Sequence, residues 1–316
     1  MSISSKPIVV LFAGQGAQAV GMGKDLFETY SVAREMFERA NEILGYSLTE
    51  VMFEGPAEEL TKTSRCQPAL YLHGLACLEV LKEKIPDLRI SAAAGLSLGE
   101  FTAHAAARSF DFETGLALVS QRGRFMEDAC RENPGTMAAM IGGAEEDVRK
   151  LAESVGVDVA NLNCPGQTVL SGTKDGITAA LAGAKGAGVR MGKELDVAGA
   201  YHSSLMQPAQ EKLATELAEA AIGEPAFPVI SNVEATEVSG RDQIRQTLES
   251  QVTGSVCWSE SMQGLLDAGH ETFVELGPGG ILAGLMNRIQ RGTQVLAAGD
   301  VESIEAAAEE IAAVTA

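Results

Sequence analysis

Between Asn133 and Val197 the chain changes rhythm, and that change limits the folds open to it. TMAAMIG reads as a strand, AEEDVRKLAESVG as a helix, and VDVANLN and QTVLSG as two strands. DGITAALAGAKGAG then reads as a helix and VRMGKELDV as a strand. The order β-α-β-β-α-β is the ferredoxin-like signature, a compact unit suited to insertion in a larger domain. Outside it, strands and helices alternate differently. Pro7 to Ala13 reads as a buried strand leading into the loop GQGAQAVGMG, and RISAAAG as a strand leading into the helix GEFTAHAAARS. FVELGPGG runs through a turn at Gly277, Pro278 and Gly279 into the helix ILAGLMNRI. The expectation is an α/β protein with a mostly parallel sheet, residues 1–132 and 198–316 forming the core and 133–197 the inserted subdomain.

Further helices are expected in YSVAREMFERANEIL, with Val32, Met36 and Ile43 on one face, and in CQPALYLHGLACLEVLKEK, stopped by Pro86. A helix from Met206 to Ala221, the strand PVISN and an acidic, Ala-rich tail helix SIEAAAEEIAAVTA complete the reading. A net charge of −19 argues against nucleic acid as a partner, since such a surface must be basic to displace counterions. Cys66, Cys77, Cys130, Cys164 and Cys257 are dispersed, without a CxxC pair or metal-type spacing, which fits reduced thiols in a cytoplasm. The apolar run Ile8 to Ala13 is too short for a membrane span or a signal core, so no membrane partner is expected.

Ser97 lies in AAAGLSLGEFTAHAA, between a strand and a helix. Gly-x-Ser-x-Gly is a cheap pattern in a chain with 34 glycines; its place at a strand-to-helix turn is what a nucleophile elbow requires. Gly95 and Gly99 leave room for a tight turn around the serine. A hydroxyl needs a base, and there are four histidines. His73 sits in an apolar helix and His270 in a loop, while His104 lies two turns below Ser97 and points away from the elbow. His202, in GAYHSSLM, stands where the chain re-enters the core; taken alone it reads as a polar residue at a helix entry.

Seven ordered stretches join these observations: FAGQGAQ, GPAEELTKTSRCQPAL, GLSLGE, QRGRFME, NCPGQTVLSG, YHSSLM and VELGPGGILAGL. In order and spacing, from Pro7 to Arg291, the chain resembles the malonyl-CoA:acyl-carrier-protein transacylase family of acyltransferases. The resemblance implies a hydrolase-like α/β core with a ferredoxin-like insertion, and a two-step transfer of malonyl through an acyl-serine. It makes Ser97 the nucleophile, His202 its base, and Arg122 the partner of the malonyl carboxylate. It gives the oxyanion hole to the N–H groups of Gln15 and Leu98, and places Asn163 near the substrate. A main-chain carbonyl orients the imidazole in this family, so a Ser–His dyad is expected, with Cys257 as the carbonyl's source. Malonyl-CoA and holo-acyl carrier protein are the implied partners. The CoA thioester and the 4'-phosphopantetheine thiol are substrates, and no metal or other cofactor is implied.

The chain departs from the family pattern at Leu96, where histidine is usual, at Ala13, at Tyr201 and at Cys257. Leu96 removes a polar group beside the nucleophile. Lys62, Arg65, Arg190, Lys193, Arg288 and Arg291 are candidates for steering anionic substrates toward an acidic protein. The alternatives are a polyketide-pathway acyltransferase, a serine thioesterase or esterase, and a non-catalytic carrier-binding module. Hydrolases of the α/β type carry their histidine near the C-terminus, after the acid, whereas His202 precedes the last third of the chain.

Overall fold

The computed structural model describes residues 7–313. Among these described residues, ten strands fall into two sheets. The larger uses β1 (Ile8–Phe12), β2 (Ile90–Gly95), β7 (Val229–Ile230), β8 (Glu237–Val238), β9 (Thr272–Leu276) and β10 (Gln294–Ala297), in the order β10-β9-β1-β2-β7-β8. Every pairing is parallel except β7 with β8. β1 is central and all five of its residues, IVVLF, are buried. A strand covered on both faces has no reason to alternate apolar with polar, which explains the continuous run.

The smaller sheet uses β3 (Thr136–Gly142), β4 (Asp158–Cys164), β5 (Gln167–Gly172) and β6 (Val189–Glu194), antiparallel in the order β4-β5-β3-β6. The helices Glu145–Val155 and Lys174–Gly183 cover one face over a separate core that includes Met140, Val148, Leu170 and Ile177. This is the ferredoxin-like arrangement expected from the element order. β4 is an edge strand, and its edge is covered by the large unit: Leu162 N donates to Val256 O at 2.9 Å and Val256 N to Ala160 O at 2.8 Å.

Two long helices pack against each other and bring side chains to the site. Thr63–Lys84 is buried along most of its length. Phe112–Glu132 starts on Asp111, whose carboxylate accepts from Thr114 N at 2.8 Å, and buries Leu118, Val119, Arg122, Met126 and Ala129 on one side. The helix Ser31–Leu44 differs from expectation. Its buried stripe is Ala33, Phe37 and Ala40, with Val32, Met36 and Ile43 half-buried beside it, because Phe37 fills the core against Phe27 and Phe53. PVISN is a strand only over Val229–Ile230. The expected helix after Met206 spans Gln207–Glu219, and the tail helix is Val301–Ala313, with 314–316 outside the described residues. No helix among the described residues is long and apolar enough to cross a membrane.

Candidate active site

Ser97 follows β2 and precedes the helix Leu98–Ala106, and its backbone sits at φ 55°, ψ −108°. Such a conformation costs a non-glycine residue on the order of 1–3 kcal/mol unless its surroundings hold it. Here both backbone polar groups are held by side chains. Ser97 N donates to Asn232 Oδ1 at 2.7 Å, and Ser97 O accepts from Gln251 Nε2 at 2.9 Å. The flanking glycines are required by close approach. A Cβ on Gly95 would lie 2.0 Å from the Gly99 carbonyl carbon and oxygen, and one on Gly99 would lie 2.3 Å from Phe12 O.

His202 meets the serine from a hundred residues downstream, its Nε2 2.7 Å from Ser97 Oγ. Its backbone too is left-handed, at φ 54°. The other ring nitrogen, Nδ1, lies 2.8 Å from Gln251 O and 3.2 Å from Gly254 O. Two carbonyls can only accept, so they fix the proton on Nδ1 and leave the Nε2 lone pair facing the hydroxyl. Burial, and then the Arg122 charge, push the imidazole down to about 4, so it is neutral near pH 7.

The carbonyl expected from Cys257 is not the one that serves the imidazole. Cys257 begins the helix Trp258–Asp267, and its carbonyl accepts from Ser261 N at 3.0 Å and Ser261 Oγ at 2.9 Å. The turn six residues upstream faces the imidazole instead.

Arg122 reaches the same point from the middle of its helix and is 1% exposed. Nη2 donates to Ser97 Oγ at 3.1 Å and to Gln251 Oε1 at 2.8 Å, and Nη1 to Gln67 Oε1 at 2.7 Å. Nε is buried without a partner among the described residues. Burial lowers its pKa to about 10, which leaves it charged at neutral pH. Among the described residues its direct acceptors are all uncharged, and the Glu100 carboxyl, whose charge raises the pKa against the burial, does not bond the guanidinium.

Leu98 is the first residue of its helix, so its N–H has no carbonyl one turn earlier to bond. Gln15 lies on the loop after β1, drawn in by Gly14, where a Cβ would sit 2.4 Å from Leu96 O. Its side-chain oxygen accepts from Thr63 Oγ1 at 2.7 Å, which pins the loop. Among the described residues neither N–H has a hydrogen-bond acceptor. Gln15 and Leu98 line a cleft of about 540 Å³ together with Ser97, His202, Arg122, Asn163, Tyr201 and Leu96. Asn163 Oδ1 is buried there without a partner among the described residues. Leu96 is partly buried and packs against the hydrophobic cluster that includes Leu282 and Leu285, which gives the usual histidine's place to an apolar side chain.

Four residues to which the sequence assigned no role complete the site: Gln67, Glu100, Asn232 and Gln251, each at most 1% exposed. Gln67 and Glu100 stand inside matched stretches, and burial of polar residues at helical spacing was the available signal. Asn232 and Gln251 act across more than 130 positions, which no local pattern marks. The candidate steering cations are spread out. Lys62 and Arg65 share Glu59, Arg288 donates to the cleft residue Gln167, and Arg190 and Lys193 are exposed on β6. Arg291 lines a separate cavity of about 350 Å³ with His270. A larger cavity, about 800 Å³, lies between the helices Ser31–Leu44 and Thr63–Lys84, but holds none of the candidate chemistry.

Known proteins share this architecture. The acyl transferase domain family matches residues 9–308. The malonyl CoA-acyl carrier protein transacylase of Bacillus subtilis is 41% identical over 307 residues, covering 95% of this chain and 96% of that protein. A polyketide biosynthesis malonyl CoA-acyl carrier protein transacylase from the same organism is 40% identical over 294 residues, covering 92% and 99%. The solved malonyl CoA-acyl carrier protein transacylase of Coxiella burnetii superposes with a TM-score of 0.94 at 33% identity, covering 98% of this chain and 99% of that one. With a match running from the first strand into the last helix, and relatives this similar along their whole length, the chain belongs to the acyl transferase domain family.

Proposed function

We propose that this protein moves malonyl from malonyl-CoA to the phosphopantetheine thiol of holo-acyl carrier protein, by way of a malonyl ester on Ser97. The observation that carries the reading is the meeting of three groups: the Ser97 hydroxyl lies 2.7 Å from a neutral imidazole and 3.1 Å from a guanidinium with no carboxylate of its own. In the first half-reaction, His202 Nε2 takes the hydroxyl proton as Ser97 Oγ attacks the thioester carbon. The N–H groups of Gln15 and Leu98 are the donors free to hold the oxygen as it gains charge, a contribution of about 3–4 kcal/mol each in comparable sites. The imidazolium, steadied by the Gln251 and Gly254 carbonyls, returns its proton to the departing CoA sulfur. The second half repeats the steps, with the carrier thiol as nucleophile and Ser97 as leaving group.

Arg122 selects the acyl group. Malonyl differs from acetyl by one carboxylate, and a buried guanidinium held only by neutral acceptors suits that charge. Asn163 is one of several further polar groups in the cleft, and the one this reading gives to the substrate. The same reading divides the chain into a core of 1–132 and 198–316 and a small unit of 133–197, bounds that enclose β3 to β6 and their separate hydrophobic core. It places the protein in the cytoplasm, where its five free cysteines stay reduced. Fatty-acid synthesis is the destination proposed for the product. A polyketide destination is the second reading, supported by the polyketide-pathway relative at nearly equal identity.

Intact mass spectrometry tests the chemistry. Incubation with malonyl-CoA alone is expected to add about 86 Da, the mass of a malonyl ester, and Ser97→Ala to abolish the adduct. Release of free malonate in place of malonyl-carrier would make the protein a hydrolase. No adduct in the parent would remove the covalent mechanism.

A further inference from the structure

Glu100 lies at the start of the helix Leu98–Ala106, directly behind the nucleophile, and is 0% exposed. One of its carboxylate oxygens, Oε2, collects two donors: Gln251 Nε2 at 2.6 Å and Asn232 N at 3.1 Å. The other, Oε1, is buried and has no partner among the described residues. Each recipient of that one oxygen reaches a different part of the site. Asn232 passes on to Ser97 N through Oδ1 and to Gly95 O through Nδ2, at 2.7 and 2.8 Å. Gln251 passes on to Arg122 through Oε1 at 2.8 Å and to His202 through its main-chain oxygen at 2.8 Å.

A glutamine amide can be inserted two ways round, and here the partners decide. On one side stand Ser97 O and Glu100 Oε2, which accept; on the other stands the Arg122 guanidinium, which only donates. Turned over, the amide would set its oxygen against two acceptors and its NH2 against a cation. Ser97 O is also taken by Glu100 N at 3.0 Å, so the carboxylate is the stronger determinant of the amide's direction.

We propose that Glu100 is a positioning residue for malonyl selection: by fixing the direction of the Gln251 amide it holds Arg122 in line with the Ser97 hydroxyl. This rests on the malonyl-transfer reading above. Glu100 touches no substrate; its hydrogen-bonded route to Arg122 runs through Gln251, while Asn232 carries its second contact to Ser97 N. Because both donors converge on one oxygen, a glutamine at 100 can keep its carbonyl there and put its NH2 at the empty position. A methionine cannot accept at all.

The test measures kcat and KM for malonyl-CoA and acetyl-CoA, with holo-carrier as acceptor, in the parent, Glu100→Gln, Glu100→Met, Gln251→Leu and the double variant Glu100→Met/Gln251→Leu. Glu100→Met is expected to lower the malonyl-over-acetyl preference at least tenfold, chiefly through the malonyl-CoA KM. Glu100→Gln is expected to stay within threefold of the parent, and the double variant to be no less selective than Gln251→Leu alone. A purely structural role would lower both donors together and leave the preference intact. That result, or losses that multiply in the double variant, would overturn the relay. Should Glu100→Met not fold, an unchanged preference in Gln251→Leu overturns it unaided. A parent with no malonyl preference would instead overturn the functional reading, which the parent's own assay reveals separately.

Discussion

Replacing Arg122 with methionine keeps most of a buried side chain's volume and removes every donor. A guanidinium has five N–H groups. Three are committed, to Gln67, Gln251 and Ser97 Oγ, which leaves two for a substrate carboxylate. Charge-assisted hydrogen bonds contribute about 1.5–3 kcal/mol each, so the malonyl carboxylate stands to lose about 3–6 kcal/mol of transition-state binding. At about 1.4 kcal/mol per factor of ten, kcat/KM for malonyl-CoA falls by about 10² to 10⁴. Acetyl-CoA lacks the carboxylate. The damage it shares with malonyl-CoA, two glutamine oxygens left without their donor, cancels in the ratio of the two substrates. The assay is a competition between malonyl-CoA and acetyl-CoA for one holo-carrier pool, read by the intact mass of the carrier. A change of preference smaller than tenfold would show that the guanidinium does not bind the distal carboxylate, and the selectivity argument would fail with it.

His202 is pushed down to about 4, so as pH falls the base stays available well below the ordinary imidazole value of 6.5. The acid limb of kcat/KM for malonylation is expected near pH 4–5, and a limb at 6.5 would contradict the buried cradle. The same depression means the folded state binds fewer protons than the unfolded one between pH 4 and 6.5, so His202 contributes stability above 6.5 that is lost as pH falls through 4. Glu100 runs the other way. Burial lifts it to about 7, so its contribution is complete below the ordinary 4.5 and lost as pH rises through 7. Urea denaturation of Glu100→Gln is expected to lack that decline, which amounts to on the order of 3 kcal/mol by pH 8; parallel pH profiles for the two proteins would refute it. Gly95→Ala drives a methyl into the Gly99 carbonyl at 2.0 Å, and is expected to cost about 3 kcal/mol, the upper end for an overpacked core, and to abolish acylation. An active, parent-stable Gly95→Ala protein would show that the elbow relaxes freely.

Much of this was legible in the sequence because it was local. The order of elements between Thr136 and Glu194 declared the small sheet, and a strand, a Gly-flanked serine and a helix declared the elbow. Arg122 was singled out by the resemblance, since an arginine on a helix is ordinarily exposed; the structure puts it three and four residues from Val119, Leu118 and Met126 on the face its helix buries. What escaped was the support behind these groups. Asn232, Gln251 and Glu100 act through hydrogen bonds that join distant segments, and polar residues of those types are ordinary in loops and helix starts. The misplaced Cys257 shows the same limit. That a carbonyl would face the imidazole was implied by the family, but which one depended on where the turn ends and the next helix begins. That helix claims the Cys257 oxygen as the cap for Ser261.

The strand pairing between β4 and Val256 ties the proton acceptor to the smaller sheet. The short arc from Gln251 to Val256 cradles the imidazole at one end and is stitched into a second β-structure at the other. The smaller unit cannot swing aside as an independent flap without dragging that cradle. The backbone of β4 is thereby joined, through Val256, to the same short segment whose carbonyls hold His202 Nδ1.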